Sequence, residues 1–462
     1  MKKLITLFAV VFLFLSVIDT ASAAPNSFDQ AFQEEEQLIV VTVKNAKDTK
    51  ATVETYEKIN GSFTKVLGPI PAVVGKGGVS VYKKEGDGKT PAGIYGLGTA
   101  FGSVKKPAGM VYTYRQTGKE DYWIDDPSSS NYNKWVRYSG DPNKKWRSYE
   151  RMLQELYKYG VHIRYNDDPI VKGKGSAIFL HVWRNSSSPT AGCVAVSEQN
   201  ARNILLWLNE KKNPKIIISE QSALEQLLNE KELSNVKEDL KKGYALSSSL
   251  NKQYSLIQSK EDLEIKKVYS EQYNELGSVM ASINKGWGNL TSKEQSPLYS
   301  QYSYVNNMYN RTAAYIDAVN GIKKGLEPKQ AKLIAALNKG ILDASTVQTY
   351  DEYSQLIKKS EVNIGKVYGS SIRRLLLDEY IMPAKITKES IIYEVSIYLL
   401  LEKIETETDE VKRELEFKKL DRLKQRAKDI KEQGNKLHPG KYPTHAEINE
   451  ALLMKEKILR EK

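Results

Sequence analysis

Phe179-Leu180-His181-Val182-Trp183-Arg184 is followed, after four polar residues, by Pro189-Thr190-Ala191-Gly192-Cys193-Val194. The apolar run Ala177 to Val182 reads as a strand, with His181 where the chain leaves the core. The segment from Val182 to Ala191 is long enough to loop back and set Cys193 beside His181. Gly192 permits a tight turn whose backbone N–H groups can hold an oxyanion. Cys193 is the chain's single cysteine, so no intramolecular disulfide is available and the fold must rest on its core. A thiolate attacks acyl carbons well, but a thiol at neutral pH needs a neighbouring base. On spacing alone, a lone cysteine is more often a small buried hydrophobe than a nucleophile.

The chain has four histidines. His438 and His445 lie far off in the helical half, which leaves His162 and His181 as the candidate bases; His162 sits inside a strand pattern with no motif around it, which favours a structural role. Outward from this stretch the sequence is β-rich. Leu38 to Val43 is a strand-like run, and Val53 to Val66 alternates around Asn60-Gly61, a hairpin signal. Gly75-Lys76-Gly77-Gly78, Gly86-Asp87-Gly88 and Pro91-Ala92-Gly93 break any helix. Tyr149 to Tyr159 reads as one short helix ending at Gly160. A strand over Val161 to Tyr165, a helix over Glu198 to Asn209 and a last apolar run over Ile216 to Ile218 complete this half.

Composition changes near Pro214 to Ser222, after which Leu, Lys, Glu and Tyr recur at helical spacing. Ser222 with Glu225 forms a capping-box signal, with Gly243 as the expected stop. Pro328 and Gly340 bracket another helix. Thr387 reads as the cap of a long helix running toward Gly434, and Thr444 with Glu447 as the opening of the terminal one. The fold class expected is multidomain α and β: a mainly β domain over 38–219 and an all-α helical bundle over 220–462.

Met1-Lys2-Lys3, an apolar run from Leu4 to Ile18 and Ala21-Ser22-Ala23 have the three-part layout of a signal peptide over 1–23, with 24–37 as a lead-in. The apolar run of about 15 residues falls short of the roughly 20 that span a bilayer. A secreted chain without stable membrane insertion is expected. Its net charge of +12 would suit nucleic acid in the cytoplasm, but on an exported protein it points to anionic wall polymers. No metal site is suggested, because the histidines are not at ligand spacing. No glycine loop opens a helix to cradle phosphate, so no cofactor is implied.

The two quoted segments resemble the active-site stretch of the L,D-transpeptidase family, in which a histidine precedes a Ser/Thr-x-Gly-Cys motif. Gly86-Asp87-Gly88-Lys89-Thr90-Pro91-Ala92-Gly93 resembles that family's Gly-Lys-Thr-Pro-x-Gly hairpin. The resemblance covers about residues 38 to 219. It implies a mainly β catalytic domain in which Cys193 forms a thioester with a peptidoglycan stem peptide and passes the acyl group to an amine or to water. It makes Cys193 the nucleophile, His181 the general acid/base and Gly192 an oxyanion N–H donor. Arg184, Thr190, Lys89, Asp125 and Asp126 are candidate substrate contacts, and either a backbone carbonyl or one of the two aspartates is the candidate for orienting His181. Many members carry histidine where this chain has Ala191, and arginine or asparagine where it has Ala195.

Arg311 to Ala318, Val367-Tyr368-Gly369 through Arg374-Leu375-Leu376, and Ile392-Tyr393 resemble the helical wall-anchoring domain of a bacillar S-layer protein. That resemblance implies binding of an anionic secondary cell wall polymer, with Tyr299, Tyr302, Tyr304, Tyr309 and Tyr315 as possible stacking surfaces. The expected protein is a transpeptidase associated with a Gram-positive-type cell wall. An L,D-carboxypeptidase on the same scaffold and a non-catalytic wall-binding protein are the alternatives.

Overall fold

The computed structural model describes residues 25–462, so the signal-peptide segment lies outside the described residues. The chain divides into two compact units between Asn235 and Val236.

The first unit is β-rich. Its strands are β1 (Gln37–Val43), β2 (Lys50–Ile59), β3 (Ser62–Val73), β4 (Val79–Ser80), β5 (Thr90–Pro91), β6 (Gly93–Gly102) and β7 (Tyr114–Gln116). After these come β8 (Asp121–Ile124), β9 (Lys134–Arg137), β10 (Glu150–Arg151), β11 (Gly160–Ile163), β12 (Phe179–Val182), β13 (Val194–Val196) and β14 (Lys215–Glu220). The main sheet has the order β11-β12-β13-β3-β2-β1-β14-β6-β7, and β11 also pairs with β6. That extra pairing closes eight strands into a barrel-like ring and removes their open edges.

β1 shows why its sequence is apolar throughout. Ile39, Val41 and Val43 point into one core with Val53, Leu180, Val194 and Ile218. Leu38 and Val40 face the other side, where Phe28, Phe32, Tyr56, Phe63 and Leu228 cover them. A strand buried on both faces reads as a continuous run rather than an alternation, and each such side chain contributes about 1.5–3 kcal/mol. Asn60 and Gly61 have φ of 54° and 89°, the left-handed pair that a two-residue hairpin loop needs, and Ile59 faces Ser62 across it.

Tyr149 to Tyr159 is not a helix. Glu150 and Arg151 pair with Trp123 and Tyr122, and only Glu155–Tyr157 form a single 3₁₀ turn. Tyr149 packs edge-on against Tyr122, and Tyr157 against Phe101 and Phe179. These tertiary contacts outweigh the local helical pattern.

The second unit is helical. Helix Leu224–Ser255 begins in the first unit, where Leu224 and Leu228 are buried. It runs past Gly243, which is a packing position rather than a stop: a Cβ there would meet Val305 Cγ1 at 2.9 Å. Neither Ser222 nor Thr444 caps a helix. A 3₁₀ turn, Gln221–Ala223, leads into the first helix, and His445 precedes the last, Ala446–Glu461, without a side-chain cap bond. Helix Glu327–Asn338 has Pro328 in its first turn and Gly340 just beyond its end with φ 68°. Thr387 lies inside Met382–Thr406, its hydroxyl donating to Pro383 O at 3.1 Å. A separate helix, Glu410–Leu437, follows, capped by Asp409. Two π-helical turns, Gly321–Leu326 and Leu377–Ile381, end just before Pro328 and Pro383. The widened turns accommodate prolines that cannot donate to the preceding helix. Among the described residues no helix is long and apolar enough to cross a membrane.

Candidate active site

The parallel pairing of β12 with β13 sets Leu180 opposite Val194 and His181 opposite Ala195. Cys193 stands in the turn just before β13, and its side chain packs with Phe101, Trp123, Tyr157 and Phe179. His181 and Cys193 both line one cavity of about 270 Å³, together with Glu150, Tyr157, Arg184 and Thr190.

The turn is held by two threonines. Thr190 Oγ1 donates to Cys193 O at 2.6 Å, and Thr90 Oγ1 reaches the same carbonyl at 3.3 Å. Gly192 has φ 151°, and a Cβ there would lie 3.0 Å from Lys89 O, so the hairpin backbone leaves room only for glycine. The Gly192 N–H is engaged: it donates to Thr190 Oγ1 at 3.1 Å. In this state it is therefore not an open oxyanion donor, and Thr190 serves the turn as well as lining the cavity.

The Cys193 thiol donates to Ala177 O at 3.3 Å. Burial pushes its pKa up, and the Glu150 carboxyl adds to this, against the opposing Phe179 amide and Lys83 ammonium. The resting group is a neutral thiol. His181 is also buried, and burial pulls it down to about 4, with the backbone carbonyls of Val182 and Leu156 opposing. Its Nδ1 lies 2.8 Å from Val182 O. A carbonyl can only accept, so Nδ1 donates its proton to Val182 O, and the Leu156 carbonyl also acts on the neutral ring.

A backbone carbonyl, rather than a carboxylate, thus orients His181. Asp126 accepts from the Ser128 N–H and hydroxyl and from the Arg147 N–H, a turn-holding role. Asp125 is half-buried with Oδ1 unpartnered, and burial raises its carboxyl. Neither aspartate lines the cavity, nor does Lys89. Arg184 lines it and is exposed to solvent.

Four groups near the thiol carry no motif. Lys83 is buried, paired with Asp87 at 3.0 Å, and its Nζ lies 3.5 Å from where a Cβ on Gly192 would be. Tyr157 meets the His181 ring edge-on at 5.1 Å, and its hydroxyl donates to Glu150. The stretch that carries Glu150 and Tyr157 reads as a helix in sequence, so no local signal marks these two. Asn133 supports the floor from behind by binding the Ala177 N–H at 3.1 Å. Among the described residues no cluster of His, Cys, Asp and Glu is placed to hold a metal ion.

In the helical unit Tyr315 is buried and donates to Leu263 O at 2.9 Å. Tyr302 stacks on Trp287, Tyr309 on Tyr273, and Tyr304 leans on Tyr244. Of the five tyrosines proposed for stacking, Tyr299 is exposed; the other four engage neighbouring helices.

No curated protein matches the chain. Solved structures that resemble it include surface layer protein SbsC, domains 1-6, at 16% identity and TM-score 0.34, over 49% of this chain and 32% of that one. The N-terminal part of the bacterial S-layer protein SbsC matches at 18% identity and TM-score 0.32, over 49% and 54%. The S-layer protein rSbsC(31-844) matches at 18% and 0.33, over 50% and 32%. The chain thus spans about a third to a half of the length of these relatives. The chain matches two family models in succession, the L,D-transpeptidase catalytic domain over residues 40–218 and the SbsC C-terminal domain over residues 253–385.

Proposed function

We propose that the first unit is a cysteine-dependent acyltransferase of the L,D-transpeptidase type acting on peptidoglycan stem peptides. The observation that carries this reading is that Cys193 and a neutral His181, held by the Val182 carbonyl, line one cavity. The Sγ proton passes to Nε2 as sulfur attacks the carbonyl carbon of the stem peptide. His181 then gives that proton to the departing amine, leaving a thioester on Cys193. An amine or water releases the acyl group by the reverse proton path. For the Gly192 N–H to hold the oxyanion, it must exchange Thr190 Oγ1 for the developing charge. Arg184 at the cavity mouth suits a stem carboxylate.

Export by the N-terminal segment and retention at the wall complete the proposal, with lysines and arginines of the helical unit meeting an anionic wall polymer. The test is intact mass spectrometry of the protein with disaccharide-tetrapeptide muropeptides. An acyl adduct on Cys193 with dimeric products supports transfer to amines, and an adduct with only shortened peptides supports a carboxypeptidase. Cys193→Ala abolishes both while leaving folding intact; turnover by that variant would sink the mechanism.

A second reading, a wall-binding protein with a silent centre, draws on the thiol being 7% exposed and held by Ala177 O. Under it, no adduct forms and the folded protein still binds wall polymer.

A further inference from the structure

The cavity contains an acid that neither the thiol nor the imidazole chemistry uses. Glu150 sits on β10 opposite Trp123 and lines the cavity with Cys193 and His181. Its carboxylate accepts the Tyr157 hydroxyl, whose ring lies against His181 at 5.1 Å between centroids. Carboxyl, phenol and imidazole thus form one connected wall beside the thiol. Among the described residues no lysine or arginine forms an ion pair with Glu150, and the nearby Lys83 is committed to Asp87. Arg184 lines the same cavity but forms no ion pair with Glu150, and a carboxyl there without a paired cation is complementary to a cationic ligand group.

Acyl transfer to an amine supplies such a group. An alkylamine is protonated at neutral pH, and its nitrogen has no lone pair until one proton leaves. A second proton must leave as the amide forms. His181 can carry the second, so the first needs another base.

Resting on the acyl-transfer reading above, we propose that Glu150 is the acceptor-binding catalytic residue, which receives the ammonium of a primary-amine acceptor beside the Cys193 thioester and takes its first proton. The freed nitrogen attacks the thioester carbonyl carbon, the C–N bond forms and the C–S bond breaks. The remaining surplus N–H proton travels through His181 Nε2 to the departing sulfur, and Glu150 releases its proton to solvent. In sum, thioester and ammonium give amide, thiol and one proton. Glu150 shares the cavity with Tyr157, His181, Arg184 and Cys193, and the carboxyls of Asp125 and Glu85 also act on it. Burial raises its carboxyl to about 7, the Tyr157 hydrogen bond opposing and the charges of Asp125 and Glu85 adding. An acid so placed both accepts and releases a proton near neutrality.

The experiment partitions a preformed Cys193 thioester on the full chain between an alkylamine and hydroxylamine, which is uncharged at neutral pH and needs no prior deprotonation. In Glu150→Gln the ratio of alkylamine to hydroxylamine transfer falls about 100-fold, and Glu150→Asp recovers part of it. An unchanged ratio, or an Asp variant no better than Gln, overturns the inference. The wild-type protein gives a reading that depends on no variant's folding: alkylamine transfer levels off above about pH 7. A rate that keeps rising with the free amine overturns the proposal. If the wild-type protein forms no thioester, the acyl-transfer reading itself fails and takes this one with it.

Discussion

Replacing Asn133 with alanine should cost the first unit about 4–5 kcal/mol, because one buried amide joins four segments around the site. Its Oδ1 accepts from Trp123 Nε1 at 3.0 Å and from the Ala177 N–H at 3.1 Å. Its Nδ2 donates to Tyr165 O at 3.2 Å and Asn166 O at 2.8 Å. Two donors face the oxygen and two carbonyls face the nitrogen, so only one amide orientation satisfies all four. Asn133 is 2% exposed, and water does not replace what is lost. At about 1 kcal/mol net per bond the deletion costs about 4. The φ of 56°, which asparagine tolerates better than alanine, adds a fraction more. That is a large share of the roughly 5–15 kcal/mol that holds a domain together. Urea unfolding followed by tryptophan fluorescence suits the measurement, since Trp123, Trp135, Trp146, Trp183 and Trp207 all lie in this unit. Asn143→Ala, at an exposed asparagine with partners Asp141 and Tyr149, is the control and should cost under about 0.5 kcal/mol. Equal costs for the two variants, or a cost below about 1 kcal/mol for Asn133→Ala, would refute the reasoning. Cys193 should also react faster with thiol reagents in Asn133→Ala, because the Ala177 carbonyl that holds its sulfur loses its anchor.

Burial holds His162 and His181 down to about 4, against about 6.5 in an unfolded chain. The unfolded state therefore binds more protons below pH 6.5, and stability is full above that value and lost as pH falls through 4, by about 3 kcal/mol for each ring. Glu150, raised to about 7, acts oppositely: its contribution is present at low pH and lost as pH rises through 7. Urea midpoints between pH 7 and 4 should therefore fall more steeply in Glu150→Gln than in wild type, and less steeply in His162→Phe. His181→Ala should slow thioester formation severely in the mass assay while Cys193 remains present and unmodified. In the helical unit Lys431 pairs with Glu394, which is 3% exposed with Oε2 otherwise unpartnered. Lys431→Met strands that carboxylate and should cost about 3–5 kcal/mol in a thermal melt followed by far-ultraviolet circular dichroism.

What was legible in the sequence was local. The apolar run of β1, the Asn60-Gly61 hairpin and the turn before Cys193 each depend on residues adjacent in the chain, so their patterns survive without a structure. The two-part layout followed from a change in periodicity. What escaped was decided by distant contacts. Glu150 and Tyr157 lie in a stretch whose helical spacing is overridden by pairing with β8 and by aromatic packing. Lys83 reads as one more charge beside a glycine loop, yet it is buried against the nucleophile's turn. Gly243 and Thr387 have the composition of a stop and a cap but occupy helix interiors, where close packing and a bond to Pro383 account for them. The tyrosines of the helical half showed their spacing but not their partners.

The parallel pairing of β1 with β14 has a consequence for how the chain is made. Within its unit β1 is the first strand to be synthesised and β14 the last, and β14 fills the gap between β1 and β6. Until about residue 220 has emerged, two strand edges stay open and the ring cannot close. The segment carrying His181 and Cys193 is complete well before that point. The centre is thus assembled only when the final strand arrives, and a chain cut short before Lys215 should keep every residue of the site yet lack the frame that brings them together.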